Sequence, residues 1–500
     1  MSCARRARSV DLPVYDLVIR NGLLVDGSGA PPRPADVAIA GETVAAIGAI
    51  HDRGRAELDV RGLIVAPGFI DVHSHDDRAL IEQPELPFKL RQGVTTDIIG
   101  NCGWALVPRS PANDAHAPAL FGPLATAMEW TGFASYFQRL TDAAPACNVG
   151  ALIGHGAVRL AVMGRAARPP GPDELAEMSA LVEAGMEAGA LGLSSGLTYE
   201  PAVHASTAEL VELARAAAAA GGLYASHLRD EGDHLLEAVD EAIQIGREAD
   251  CPVQISHHKA MGRRNWGKIT RSIAAIDRAG RAGVDVTADV YPYTASSTIL
   301  GAVAAQGIED GADAAGITIA STKAGAGLEG ASLADLASSW NLSAAETARR
   351  IAEADSGTIV IRHGMDEADV RNALSHERAM IGSDGIPGVG KPHPRLYGTF
   401  ARVLGHYARD QRLFPIEEAV RRMTALPARK FKLARRGQLQ QGWAADIVCF
   451  EPETVDDRAT YEAPRRYPAG IVHVVVNGSI VLRDGTQLPA RPGRFLRLDG

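Results

Sequence analysis

The chain is poor in the residues that mark several classes of protein. Its 500 residues include only five cysteines and 5% aromatic residues. An odd, sparse set of cysteines does not suit the dense disulfide framework of a small secreted protein. No apolar run reaches the length of a membrane span, and the basic start, MSCARRARSV, lacks the apolar core of a secretory signal. We therefore predict a reduced, cytoplasmic protein in which a functional cysteine acts as a thiolate.

The chain also lacks an excess of positive charge. Its formal net charge is −9 and its isoelectric point is about 5.9, so it has no general attraction for nucleic acids or anionic membranes. A hydrophobic content of 46% and a charged content of 22% are typical of a soluble globular protein. We expect a small-molecule substrate, no nucleic-acid or membrane partner, and a monomer or small homo-oligomer.

Short strand-like segments occupy both ends of the chain. Residues 15–65 and the last seventy residues alternate apolar runs with turn signals such as Asn21-Gly22, Gly41-Glu42 and Asn477-Gly478. Two β-rich ends around a different middle predict one small β-sandwich domain, with residues 1–66 and 437–500 as its two parts.

The middle of the chain, residues 67–436, alternates strands with helices. Eight strand-like segments are separated by helical stretches such as 173–188 and 206–220, the second with Ser206 as its predicted N-cap. This alternation predicts an α/β fold, a (β/α)₈ TIM-like barrel. Residues 299–355 are longer than a barrel connection needs, so we predict a lid or an insertion there.

Polar side chains follow the predicted barrel strands at the point where each strand ends. One histidine after a strand is usually structural, but strand ends of a barrel converge on one face, where such enzymes place their chemistry. In chain order, these residues are His73 and His75, Cys102, His155, Tyr199 and Glu200, His227, His257 and His258, Tyr291 and Tyr293, and Asp384.

The residue types in this set favour a particular metal. Imidazole and thiolate ligands together suit zinc better than magnesium or calcium, which prefer oxygen ligands. The ligands outnumber what one tetrahedral ion uses, which indicates two sites, or one tight site beside a weaker one. In either arrangement Cys102 can bridge the two positions, and Asp384 can act as general base toward an attacking water.

The motifs FIDVHSHDD, GNCG, SSGLTYEP, SHLRDEG, ISHHK, DVYPYTASST, GSDG and HPRLYGTF together resemble the D-aminoacylase (N-acyl-D-amino-acid deacylase) family of the amidohydrolase superfamily. The resemblance covers nearly the whole chain and includes a cysteine after the second strand. It implies that His73 and His75 hold the weaker metal position. It also implies that Cys102, His227 and His257 hold the tighter zinc and that Asp384 is the catalytic acid and base.

The same resemblance implies a site for the α-carboxylate of an N-acyl amino acid. It assigns Tyr199, Lys259 and Arg395 to this role, and cations with a phenol hydroxyl make charge-assisted hydrogen bonds to a carboxylate. Weaker candidates are Tyr291, Ser297 and Arg229. The segment after YTASST is shorter than in the family, so the preferred substrate side chain does not carry over.

The sequence thus predicts a zinc-dependent hydrolase that cleaves the linear amide of N-acyl-D-amino acids. One alternative is an amidohydrolase that opens a cyclic amide, as hydantoinases and dihydropyrimidinases do, or that releases a D-residue from a dipeptide. A more distant alternative is a barrel that serves as a non-catalytic scaffold. The scaffold predicts lost ligands, whereas all six metal-site and acid–base positions are filled.

Overall fold

The computed structural model describes residues 14–122, 127–308, 311–388 and 390–498. Eight parallel strands form a barrel, and the first and last of them meet through a parallel bridge between Ser74 and Gly385. The predicted (β/α)₈ barrel is confirmed. Its strands, in order, are Phe69–Asp71, Val94–Ile99, Asn148–Ala151 with Ile153–Gly154, Gly192–Gly196, Leu223–His227, Val253–Ile255, Val286–Val290 and Ala379–Ile381.

Helices follow the barrel strands and pack around them. In the helix Thr207–Ala219 the Ser206 hydroxyl accepts the N–H of Glu209, as predicted for an N-cap. The α-helices of the barrel are Ala79–Glu82, Pro87–Leu90, Pro111–Phe121, Phe133–Asp142, His155–Met163, Pro172–Glu187, Thr207–Ala219, Leu235–Ala249, Lys268–Arg281, Arg395–Arg402, Ile416–Met423 and Ala425–Lys430, with a π-helix Val403–Asp410 and 3₁₀ turns Ala202–His204 and Arg263–Asn265. Within the described residues, no helix is long and apolar enough to cross a membrane.

Strands from both ends of the chain form one nine-stranded sheet. Ile64–Pro67 pairs antiparallel with Ile447–Phe450, which joins the two ends. Thr43 bridges Ala444, so the sheet curls back on itself and encloses its own apolar core. The strands are Tyr15–Leu24, Arg33–Ala40, Thr43–Gly48, Gly54–Asp59, Ile64–Pro67, Ile447–Phe450, Ile471–Val476, Ser479–Arg483 and Thr486–Gln487.

Two of the three predicted turns in this sheet are present. Gly41-Glu42 and Asn477-Gly478 each connect antiparallel strands directly. The prediction for Asn21-Gly22 is wrong, because this pair lies inside the strand Tyr15–Leu24 and forms an irregularity in its pairing. Asn21 has a φ of +62°, which asparagine tolerates in a bulge as well as in a turn.

The connection between the seventh and eighth barrel strands is an ordered insertion. It contains a three-stranded antiparallel sheet with a hydrophobic core of its own, and its first strand starts just before the predicted range of 299–355. The strands are Ala295–Ile299, Ile317–Ser321 and Ile359–His363, and the helices are Leu300–Gln306, Gly311–Ala315, Leu333–Trp340, Ala344–Ala354 and Glu367–Ser375. Residues 309–310 of the shortened segment lie outside the described residues.

Candidate metal centre and active site

A buried ion cluster lies beneath the ends of the first and eighth barrel strands. Lys89 is fully buried; it contacts Asp71 and lies 3.1 Å from Asp76 and 3.3 Å from Asp97. The Asp71 carboxylate accepts the backbone N–H of His73 at 3.2 Å and that of Ser383 at 2.8 Å. The cluster therefore ties the strand that carries His73 to the strand end that carries Asp384.

Replacing Lys89 with methionine is expected to destabilise the protein by about 3–5 kcal/mol, because removal of one partner leaves buried carboxylates uncompensated. The free energy of unfolding, measured with denaturant, checks this value. The matched control is Lys323→Met at an exposed position, where we expect a change within about 0.5 kcal/mol. Equal stability of Lys89→Met and the natural protein would show that the cluster is not a structural anchor.

Ligand atoms from four strand ends converge above this cluster. Those of His73, Cys102, His257 and Asp384 all lie within 4.8 Å of one another. The Cys102 Sγ is 3.2 Å from the His73 Nε2 and 3.5 Å from the His257 Nε2. Cys102, His257 and Asp384 have φ values of +56°, +35° and +49°. Backbone strain of this kind clusters at functional sites. Here the strained backbone fixes the directions of three of the converging side chains.

His227 joins the same group from the fifth strand. Its Nδ1 lies 2.9 Å from the His257 Nε2, and its Nε2 lies 3.1 Å from the Thr198 hydroxyl. His75 extends the group on the other side, with its Nε2 at 3.2 Å from an Asp384 oxygen. All five predicted metal ligands and the predicted acid–base residue are thus brought into one continuous cluster.

Carboxylates lie behind two of the imidazoles of the cluster. The His73 Nδ1 lies 3.2 Å from Asp289, which accepts the His257 backbone N–H at 2.7 Å. The His257 Nδ1 lies 2.9 Å from Glu231 and 2.7 Å from the Lys259 ammonium. In both rings the Nε2 atom faces the cluster and a carboxylate lies near the outer nitrogen, as is usual for a metal-binding histidine.

The electrostatics of the cluster favour anionic ligands beside basic imidazoles. Burial opposes ionisation of Cys102, but His73 and His257 outweigh it and hold the pKa of the thiol well below its usual range. Burial likewise opposes charge on Asp384, and Arg395 with the nearby histidines keeps its pKa well below normal. A thiolate, imidazole nitrogens and a carboxylate are a donor set that suits zinc or a similar metal. The residues present therefore fit a metal centre.

Beside the cluster lies a set of groups suited to a substrate carboxylate. Arg395 is fully buried, its Nη1 is 2.9 Å from Asp384, and its guanidinium lies over the Tyr291 ring at 4.6 Å. Its Nε and Nη1 have no hydrogen-bond acceptor, while its Nη2 donates to the Ser297 carbonyl at 3.1 Å. The Lys259 ammonium lies 5.7 Å from the centre of the same Tyr291 ring.

Tyr199 is placed among the metal-side residues. Its ring centre is 4.9 Å from that of His227 and 5.0 Å from that of Trp104, and its hydroxyl is 2.8 Å from the Thr298 hydroxyl. Arg229, a weaker candidate for the carboxylate site, is instead bound to Glu241 at 2.9 Å.

Other strand-end residues have structural partners. The His155 Nε2 lies 2.9 Å from Glu209, and the His258 Nε2 lies 2.7 Å from Ser272. Sequence reasoning missed Asp289 and Glu231, which lie near the outer nitrogens of His73 and His257. The signal for Asp289 was available, since it is a lone acid inside the apolar strand Val286–Val290. Glu231 lies in a loop and gave no such signal.

Comparisons with known proteins agree with this site. A model of the amidohydrolase family matches residues 56–482. The chain is 47% identical to the N-acyl-D-glutamate deacylase of Alcaligenes xylosoxydans xylosoxydans over 97% of each chain. It is 43% identical to the D-aminoacylase of the same organism, over 97% of this chain and 98% of the other.

A solved structure shows the same similarity to N-acyl-D-amino-acid deacylases. N-acyl-D-glutamate deacylase from Bordetella bronchiseptica, complexed with zinc and a phosphonate mimic of the tetrahedral intermediate, matches with a TM-score of 0.90 and 43% identity. The match covers 97% of this chain and 99% of that one. The chain therefore belongs to the amidohydrolase family and, within it, to the D-aminoacylase (N-acyl-D-amino-acid deacylase) group of hydrolases that act on carbon–nitrogen amide bonds.

Proposed function

We propose that this protein hydrolyses N-acyl-D-amino acids to a carboxylate and a free D-amino acid, with zinc as its metal. The observation that carries the proposal is the position of the buried Arg395, which is paired with Asp384 and whose Nε has no hydrogen-bond acceptor, beside the cluster of His73, Cys102, His257 and Asp384. An N-acyl amino acid has a scissile amide and a carboxylate at this short separation. The D configuration is taken from the relatives, which are a D-aminoacylase and an N-acyl-D-glutamate deacylase.

We assign the tighter metal position to Cys102, His227 and His257 and a weaker one to His73 and His75. When bound, the metal supplies Lewis-acid polarisation of the acyl carbonyl and makes a water molecule more acidic. In support, the ligand atoms of Cys102 and His257 lie within 4.8 Å of each other, and the His227 Nδ1 lies 2.9 Å from the His257 Nε2.

Asp384 then moves the proton. Its carboxylate lies beside the two histidines that follow the first strand, at 3.2 Å from His75 and 3.6 Å from His73, and we place the attacking water next to it. It takes a proton from that water and delivers it to the nitrogen of the departing amine, which leaves as a free amino acid. The oxygen of the water bonds to the acyl carbon, the acyl C–N bond breaks, and the acyl group leaves as a carboxylate.

The remaining predicted residues bind the substrate. We assign the α-carboxylate to Arg395, Lys259 and the Tyr291 hydroxyl, with Ser297 beside them. Because Tyr199 packs on His227, we assign its hydroxyl to the acyl carbonyl instead. The Arg395 and Lys259 side chains donate charge-assisted hydrogen bonds to the substrate carboxylate, Arg395 through its unpaired Nε, and fix the orientation of the substrate relative to Asp384.

A substrate panel tests the proposal. We expect the purified protein with stoichiometric zinc to release free amino acid from N-acetyl-D-amino acids, and we expect the N-acetyl-L series to be poor substrates. Chelation of the metal should abolish turnover, and added zinc should restore it. Release from hydantoins, dihydropyrimidines or D-dipeptides, with no turnover of any N-acyl-D-amino acid, would favour the cyclic-amide or dipeptide alternative.

A further inference from the structure

A pocket opens beside the cluster, and His75, His227, His257 and Asp384 are among the residues that line it. One wall of this active-site pocket is supplied by the insertion. The residues Ser296, Ala302, Val303, Gln306 and Arg362 come from its first strand, its first helix and its last strand. Under the proposed function, the metal side receives the amide and Arg395 receives the α-carboxylate. The insertion wall is then left for the side chain of the amino acid.

This wall is mostly uncharged. Among the described residues that line the pocket, the permanent cations are Lys259 and Arg362. Lys259 belongs to the proposed carboxylate site and is bound to Glu231 at 2.5 Å. Arg362 is therefore the cation that could meet a substrate side chain.

Arg362 is already matched by a carboxylate. Its Nε donates to one oxygen of Asp313 at 3.1 Å, and its Nη2 donates to the other at 3.0 Å. This is the two-bond fork geometry in which a guanidinium and a carboxylate pair most strongly. The side chains of Arg362 and Asp313 are only 11% and 15% exposed, so water screens the pair weakly.

We propose that Asp313 is a specificity-determining residue that makes the pocket select N-acyl-D-amino acids with uncharged side chains over those with acidic side chains. The inference rests on the proposed function. A second carboxylate at Arg362 would face Asp313 as a like charge, and would lose its hydration without gaining an unpaired cation. An amide or apolar side chain of the same size meets no such penalty.

N-acetyl-D-glutamine and N-acetyl-D-glutamate test this inference, because they have nearly the same shape and differ in charge. We expect kcat/KM of the zinc-loaded full-length protein to favour glutamine by at least about tenfold, which corresponds to about 1.4 kcal/mol. In Asp313→Asn the preference should move toward glutamate by about tenfold or more, mainly through a lower KM for glutamate, since Arg362 then keeps its charge unmatched.

Two further variants sharpen the test. Arg362→Gln should shift the preference further toward glutamine, because it removes the one cation of the insertion wall that lines the pocket within the described residues. The matched control is Glu174→Gln, which breaks an equivalent two-bond pair with Arg168 at 2.7 Å on the surface and should not change the ratio.

A glutamate preference in the natural protein, or an unchanged ratio in folded Asp313→Asn and Arg362→Gln, would overturn the inference and leave the proposed function intact. Absence of turnover of every N-acyl-D-amino acid would refute the proposed function, and the inference with it.

Discussion

Replacing Asp384 with asparagine is expected to lower kcat by about 10²–10⁴-fold, the usual contribution of a positioned acid–base group. The amide keeps the size of the side chain but cannot accept the proton of the attacking water. Because the proposed tight metal ligands are Cys102, His227 and His257, the variant should retain its zinc. Steady-state kinetics and metal analysis of the same purified sample measure both effects.

Asp457→Asn is the matched control for this variant. Asp457 is also a mostly buried carboxylate beside an arginine, at 3.5 Å from Arg402, but it does not line the pocket. We expect its kcat to remain within a few-fold of the natural value. Near-normal turnover in zinc-loaded Asp384→Asn would remove Asp384 from the acid–base role.

Replacing Cys102 with alanine is expected to abolish tight zinc binding and activity together. Changes to residues that merely support metal ligands cost about 10–100-fold in affinity, so loss of a direct thiolate ligand should cost more than about 100-fold. Metal content after gel filtration, and zinc affinity in competition with a chromophoric chelator, measure the effect. Activity should return only in part at high zinc concentration.

Cys147→Ala separates this effect from the loss of any buried cysteine. Cys147 is fully buried, and burial raises the pKa of its thiol well above the usual range. A neutral thiol of this kind is a packing residue, so the variant should keep its zinc. Stoichiometric zinc in Cys102→Ala would show that the tight site does not depend on the thiolate.

Local patterns in the sequence were enough to predict the barrel and the set of strand-end residues from which the proposed ligands come, while the family resemblance selected the ligands from that set. Each proposed ligand ends a barrel strand or follows one within a few residues, and the parallel strands of a closed barrel bring their carboxyl ends together. Asp384 is an example, since its strand closes the barrel next to the strand that precedes His73. His73 and His75 are not an example, because that strand ends at Asp71 and the backbone of the following loop sets the directions of both side chains.

Features set by distant pairing could not be predicted in the same way. The strand Ala295–Ile299 pairs with Ile359–His363, and nothing local in either segment specifies this partner. The contact between Arg362 and Asp313 depends on that pairing. The prediction of a turn at Asn21-Gly22 was wrong for a related reason. The same positive φ occurs in a turn or a bulge, and only the pairing with neighbouring strands decides between the two.

The sheet built from both chain ends has a consequence for biosynthesis. Ile64–Pro67 emerges early from the ribosome, but its partner Ile447–Phe450 emerges only when almost the whole chain has been made. Until then the early strand has an unpaired edge, of the kind that invites aggregation. The first barrel strand begins at Phe69, directly after this edge, and Ser74 bridges Gly385, so the surroundings of His73 and His75 are complete only after residue 385 has been made. Overproduction of the protein should therefore benefit from slow synthesis or from a chaperone that shields nascent strands.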